Sequence, residues 1–464
     1  MRSPVEIGDT RWVGRQSKFS AATAAAVVVA NMIGTGVFTS LGFQLLDIQS
    51  GFVLLMLWAV GGLAALCGAL CYAELGAALP RSGGEYHFLS EIYHPAVGFV
   101  SGWISATIGF AAPTALAAIT FGAYLGSAVP MVPPEASATV LVIGLTAAHM
   151  GTRRGSGSVQ RWFTGLKIAL ILGFCGAVWG AVDAPQPVAF TPVAGDGGLL
   201  LGSAFAVALI YVNYAYTGWN AATYLTSEVA DPQRNLPRAL ALGTGLVAGL
   251  YLLLNFTFLH AAPIDAMTGK LEIGYIVAEE AFGGTGGKAM GLVLAALLIS
   301  TVSAMILAGP RVMQVIGEDF PAFRALARTN RDGLPTVAIA TQSLMALAFI
   351  WTASFESILV FAGFSLGLST LITVAGVFVL RARRQGLARP YRVTGYPLPP
   401  LAYLAITGWT LFYILAERPQ EAGLSLALIL AGAAFYWLSN RVKQPTRRGF
   451  RDGQQQEGEH GGVG

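Results

Sequence analysis

The chain has 464 residues, 55% of them hydrophobic and only 11% charged, with a net charge of +4. A soluble protein of this size carries about 25% charged residues, so the composition excludes a water-soluble globular domain and points to a polytopic membrane protein with no nucleic-acid partner. Cys67, Cys71 and Cys175 all fall inside apolar segments and the five histidines are scattered, so no extracellular disulfide, metal site or cofactor is expected.

Residues 1–18 are polar and basic, and read as a cytoplasmic segment. The first apolar segment outruns a signal h-region of about 7–15 residues, so it should stay in the membrane. A span needs about 20 apolar residues. Twelve are read: 19–46, 51–79, 96–129, 136–150, 158–182, 199–227, 238–261, 286–312, 334–352, 355–381, 397–416 and 421–440. The expected fold class is an all-α integral membrane protein.

The first span is interrupted by Ile33-Gly34-Thr35-Gly36, where Gly costs about 1 kcal/mol per residue in a helix interior. Broken backbone at membrane depth is tolerated only where it lines a cavity or is buried in protein. A helix opened here offers carbonyls to an ammonium at the end of its first half. The start of its second half offers N–H groups and a positive dipole to a carboxylate. An amino acid carries that pair of charges on one carbon. The competing reading is a small-residue packing face.

Glu74 and Glu85 flank the inner end of the second span, either as an inner-gate polar network or as surface carboxylates near Arg81. The third span has a possible break near Pro113, and the fourth is short. Lys167 lies about nine residues into the fifth span, roughly 13 Å deep. An unpaired ammonium there costs at least about 2.5–3.5 kcal/mol. It should bond carbonyls of the broken first span and hydroxyls such as Ser300 or Ser303 from the eighth; the alternative is a lysine snorkelling to the inner face. The sixth span carries a second interruption, from Tyr211 to Asn220, with Tyr214, Ala215, Thr217, Gly218 and Trp219 in an otherwise aliphatic run. Two spans broken alike and five apart are what an inverted repeat of five plus five helices predicts, with the site at the repeat interface; an aromatic packing cluster is the alternative. The repeats would be 19–182 and 199–381, with 397–440 as two extra spans and 441–464 a disordered tail. Loop 227–238 either locks the inner gate or only caps helices, with Asp231-Pro232 as a start signal. The loop 262–285 has room for short amphipathic helices.

With both termini inside, inner flanks hold 24 of the 28 basic residues, outer loops hold Lys270, Lys288 and Arg418, and Lys167 is intramembrane. This is the positive-inside asymmetry, and one missed span would scramble it.

Several motifs resemble the amino acid–polyamine–organocation transporters, in particular the L-amino-acid-transporter-like branch. They are Ile33-Gly34-Thr35-Gly36-Val37-Phe38, Cys71-Tyr72-Ala73-Glu74-Leu75 and Pro80-Arg81-Ser82-Gly83-Gly84-Glu85-Tyr86. Val159-Gln160, Phe163-Thr164 and Lys167 follow, then Tyr216-Thr217-Gly218-Trp219-Asn220 and Ser227-Glu228-Val229 with Arg234-Asn235-Leu236-Pro237. They cover the first seven spans in order; the last five match mainly by hydropathy. The resemblance implies a LeuT-like fold with discontinuous helices 1 and 6. It implies that amides of Gly34, Thr35 and Gly36 hold the substrate carboxylate, and that the Ile33 carbonyl with groups around Tyr214 and Ala215 holds the ammonium. Tyr214 would be an aromatic gate, Thr217 and Asn220 would border the substrate, and Trp219 would belong to the gate. A neutral Thr217 favours neutral over cationic substrates, and its bulk favours small to medium side chains. Lys167 occupies the place of a sodium ion in sodium-coupled relatives of this fold, which implies sodium independence. Animal light chains of the branch carry a cysteine in the outer loop between the third and fourth spans. Loop 129–135 has none, so no disulfide-linked heavy chain is expected.

The reading is a secondary carrier of neutral L-amino acids in the plasma membrane, working by alternating access, and not an enzyme. A carrier of cationic amino acids or polyamines, a channel and a membrane sensor are the alternatives.

Overall fold

The computed structural model describes residues 19–151 and 157–442; the segment 1–18, the pair Arg153 and Arg154, and the tail from 443 onward lie outside them. Among the described residues there is no β-strand, only an isolated parallel bridge between Phe19 and Val229. Nine helical stretches among the described residues are long and apolar enough to cross a membrane, the broken first span included. The fourth span, Pro134–Gly151, the sixth and the ninth, Thr336–Thr352, complete the twelve.

The first span is two helices, Ala21–Met32 and Gly36–Gln44. Ser20 caps the first by accepting from the Thr23 amide at 3.2 Å. The second span, Gly51–Ala78, is unbroken and capped by Ser50. A short helix not expected from the sequence, Gly84–Ile92, follows it. Gly83 and Gly84, at φ +129° and +53°, turn the chain into that helix. The third span runs through Pro95–Ile104, a π-helical turn at Ser105–Gly109, and Ala111–Ala128. The expected disturbance near Pro113 thus falls one turn upstream. A helical proline leaves the carbonyl four residues back without a donor, and the wide turn ending at Gly109 absorbs the mismatch.

The fifth span is Gly157–Ala181. The sixth is broken as expected: Ser203–Tyr216 is α-helical, and a 3-10 helix, Ala221–Glu228, carries on after a four-residue gap. The seventh starts at Pro232, directly after Asp231, so this pair does begin a helix. It ends at Ala261 and is followed by the short helix Ile264–Met267. The helix Ile273–Asp319 combines an outer arm with the eighth span, which bend at Gly283 (φ 73°). Phe355–Arg383, Leu398–Glu417 and Pro419–Val442 close the bundle.

The eighth span packs most extensively on the third, and the seventh on the second and on the inner half of the first. The sixth lies against the outer half of the first. The two broken spans therefore meet in the centre, among buried Met32, Trp58, Tyr216 and Tyr251.

Candidate substrate site

The two breaks touch at two reciprocal points. A Cβ on Gly36 would sit 2.5 Å from the Ala215 Cα, and one on Gly218 would sit 2.8 Å from the Asn31 carbonyl. The outer half of the first span thus meets the outer half of the sixth, and inner meets inner. Gly218 is also at φ +101°, a conformation that favours glycine. The sequence placed glycine where backbone meets backbone.

Opening the first span leaves polar groups to satisfy. The amides of Gly34, Thr35, Gly36 and Val37 have no hydrogen-bond partner among the described residues. Together with the dipole of Gly36–Gln44 they form a cradle whose chemistry suits an anion such as a carboxylate. Thr35, Gly36, Tyr214 and Ala215 are all buried, and the Tyr214 hydroxyl interacts with the Thr35 side chain. The cradle is closed beneath that ring.

The carbonyls are more occupied than the sequence suggested. Lys167 Nζ donates to the Ile33 carbonyl at 2.8 Å, so the lysine is buried in the bundle and does not snorkel. The Tyr251 hydroxyl bridges both breaks, at 2.5 Å from the Met32 carbonyl and 3.1 Å from that of Ala215. The Thr217 amide and hydroxyl both donate to the Tyr214 carbonyl, at 3.0 and 2.6 Å. A substrate ammonium would therefore share these oxygens, using their second lone pairs, or turn to Ala30 and Asn31.

Some expected partners lie elsewhere. Ser300 donates to its own helix, at the Leu297 carbonyl. Ser303 pairs with His149 Nε2 of the fourth span at 2.8 Å. Neither meets Lys167, because helical phase turns both aside; of the three neighbouring hydroxyl residues only Thr301 lines the same cavity as the lysine. Asn220 does not reach the cradle either: its amide donates to Glu85.

Glu74 and Glu85 are buried, not surface carboxylates near Arg81, and they belong to separate networks. Glu74 takes Arg381 at 2.6 and 2.8 Å and the Val393 amide at 2.7 Å. Glu85 accepts from Tyr72 at 2.8 Å and from Asn220 and Tyr224 of the sixth span. Trp219 stacks edge-on with Tyr72, 4.7 Å between centroids. These contacts fasten the inner half of the sixth span to the second. On the outer side, Tyr211 donates to Glu356 at 2.6 Å, Arg418 pairs with the same carboxylate, and Phe43 stacks between Tyr211 and Phe355. Side-chain contacts thus join the sixth span to its neighbours on both sides of its break.

A profile described as amino acid permease matches residues 19–436. The chain belongs to the amino acid permease family. Over 455 residues the permease is 29% identical to the large neutral amino acids transporter small subunit 2 of Mus musculus, covering 92% of this chain and 81% of that protein. It is 28% identical to the Asc-type amino acid transporter 1 of the same species, covering 92% and 82%. The serine/threonine exchanger SteT of Bacillus subtilis (strain 168) is 28% identical over 89% of this chain and 94% of its own length. The family resemblance read from the motifs holds over nearly the whole permease, and its activity is amino acid transport by a multi-span membrane protein rather than catalysis.

Tyr251 and Tyr124 were missed by sequence reasoning. The Tyr124 hydroxyl donates to the Phe38 carbonyl and accepts from the Gly274 amide, both at 3.0 Å, tying the outer half of the first span to the outer arm. A lone tyrosine in a membrane helix reads as core; the available signal was that a fully buried hydroxyl needs a partner.

Proposed function

We propose that the permease is a sodium-independent carrier of neutral, small to medium L-amino acids, an exchanger or proton-driven symporter, working by alternating access. The observation that carries this is the set of four unpartnered amides, Gly34 to Val37, next to the neutral Thr217 and without a carboxylate in either break. A zwitterion finds its anion cradle there and no acidic side chain to reward a second positive charge. The names of the relatives, which refer to neutral amino acids and to serine and threonine, support the same class. Lys167 on the Ile33 carbonyl supports sodium independence: a fixed ammonium supplies the positive charge that a bound cation would otherwise bring.

The repeats proposed are 19–182 and 199–381, and the reciprocal Gly36–Ala215 and Gly218–Asn31 contacts support them. The proposed location is the plasma membrane with both termini cytoplasmic, supported by the skew of basic residues. No heavy-chain partner is proposed, since Cys67, Cys71 and Cys175 are all buried and the outer loop 129–135 holds no cysteine.

Glu85 favours a second reading. It stands one hydrogen bond from Asn220 at the inner end of the sixth-span break, where a long cationic side chain would find it. A thermal-shift screen of the purified permease against twenty amino acids and several polyamines separates the two. Stabilisation by serine, threonine, alanine or larger neutral amino acids supports the first reading; stabilisation by arginine or putrescine alone overturns it.

A further inference from the structure

Two buried carboxylates flank the inner end of the second span, and only one of them is neutralised. Glu74 lies between the guanidiniums of Arg381 and Arg389. Glu85, 4% exposed, makes no ion pair among the described residues. One of its oxygens accepts from the Tyr72 hydroxyl and the Asn220 amide, the other from the Tyr224 hydroxyl. A buried carboxylate without a cation is tolerable only while hydrogen-bond donors surround it.

No charged neighbour is placed to take over. The titratable side chains facing Glu85 are phenols: Tyr72 of the second span, Tyr224 of the sixth and Tyr403 of the eleventh. The third span carries no charged side chain. Arg384 pairs with Glu91, Arg383 reaches the Ile92 carbonyl, and His87 faces Arg81 and Glu91.

The three donors come from different bodies. Glu85 sits in the helix Gly84–Ile92, which packs on the third and tenth spans. Asn220 and Tyr224 belong to the inner half of the sixth span, which is tied through Glu228 and Ala230 to Phe19 of the first. A Cβ on Gly84 would sit 2.5 Å from the Tyr224 ring, so the two elements meet closely. Opening the inner face takes Asn220 and Tyr224 away together and leaves Glu85 with Tyr72.

We propose that Glu85 is a proton-operated clasp on the inner gate. Its ionised carboxylate holds the inner half of the sixth span against the helix Gly84–Ile92, and a proton taken up from the cytoplasm releases it. The sign follows from the donors. The closed arrangement offers three of them to an anion, whereas a neutral carboxyl turns one oxygen into a donor and makes only neutral hydrogen bonds, about half as strong. Protonation and opening therefore favour one another, and acid in the cytoplasm populates the inner-open arrangement. The proposal rests on the alternating-access reading above and not on which amino acid is carried.

The test uses the full-length protein in nanodiscs, with nitroxides on Glu228→Cys and Gln385→Cys. Both positions are exposed, one ending the sixth span and one following the tenth, while Cys67, Cys71 and Cys175 are buried. Distances between the labels, read by pulsed electron resonance, report the inner gate directly. Lowering the pH from about 8 to about 5, towards the carboxylate range, is expected to raise the ratio of long to short distances. The expected rise is about fivefold, the gap between charge-assisted and neutral hydrogen bonds. Glu85→Gln, fixed neutral, is expected to show the long distances already at the higher pH and no further response to acid. His87→Asn is expected to respond as the unaltered protein does. If Glu85→Gln fails to fold, Tyr224→Phe removes one donor and is expected to raise the ratio at the higher pH while keeping a response to acid. An acid response that survives Glu85→Gln, or that His87→Asn abolishes, overturns the proposal and leaves alternating access standing. A distance unmoved by pH and by the variants overturns it too, and uptake into proteoliposomes, read separately, decides whether alternating access falls with it.

Discussion

Tyr251 is fully buried, yet its one hydroxyl serves two carbonyls, one from each broken span. Removing a donor from buried acceptors costs about 1–3 kcal/mol. Tyr251→Phe keeps the ring and its packing on Trp58 and Tyr216 but frees both carbonyls. It should lower the melting temperature in detergent and cut uptake several-fold, whereas a purely packing role for Tyr251 predicts neither. The glycines of the first break allow a sharper comparison. At Gly34 the nearest atom to an added Cβ is 3.9 Å away, while at Gly36 it is backbone of the sixth span at 2.5 Å. Backbone cannot rotate aside, so Gly36→Ala must push the two breaks apart and should abolish substrate-induced thermal stabilisation. Gly34→Ala should fold with near-native stability. Equal tolerance at both positions would contradict the close approach of the breaks. Gly36 and Gly218, where the two breaks meet, were legible in the sequence because glycine is costly in a helix interior; Gly42 and Gly122, which also meet backbone, were not. The phase of a serine on an apolar helix was not: Ser300 and Ser303 look equivalent to Thr301 until neighbours are known, and only Thr301 lines the lysine cavity.

Between elements, the inner ends of the two broken spans are joined by backbone. Phe19 donates to the Glu228 carbonyl at 2.7 Å and the Ala230 amide donates to Phe19 at 2.8 Å. Val28 of the first span also sits against Gly243 of the seventh. The inner half of the first span is thus zipped to the loop after the sixth, so the two inner halves move as a unit when the inner face opens. Ala230→Pro deletes one of the two amides. The expected result is faster hydrogen exchange over 21–32, with 36–44 unchanged, read by mass spectrometry; uniform protection in the variant would mean the bridge is incidental. Span number and both breaks were legible because hydropathy and misplaced glycines are local signals. The bridge at Phe19 and the helix Gly84–Ile92 were not. Both are set by what the segment packs against, and a stretch such as Pro80-Arg81-Ser82-Gly83-Gly84 carries turn chemistry that hides the helix after it.

For the whole molecule, the decisive question is what drives the cycle. A carrier of this shape must hold its two broken spans together when closed and let them part on one side at a time. The fifth span is coupled to the first break through Lys167 and Ile33, a covalently attached cation at 2.8 Å from a carbonyl that has lost its helical partner. A sodium ion competing for the same carbonyl would meet the repulsion of that ammonium at close range, where the surroundings are apolar and screening is weak. Replacing sodium with choline on both sides of the membrane should therefore leave the initial rate of amino acid uptake into proteoliposomes unchanged, while Lys167→Met should reduce it strongly in choline. A rate that collapses in choline in the unaltered protein would show that the lysine does not stand in for the ion. Uptake by Lys167→Met that becomes dependent on sodium would show the opposite, since the vacated carbonyl would then accept a free cation in place of the tethered one.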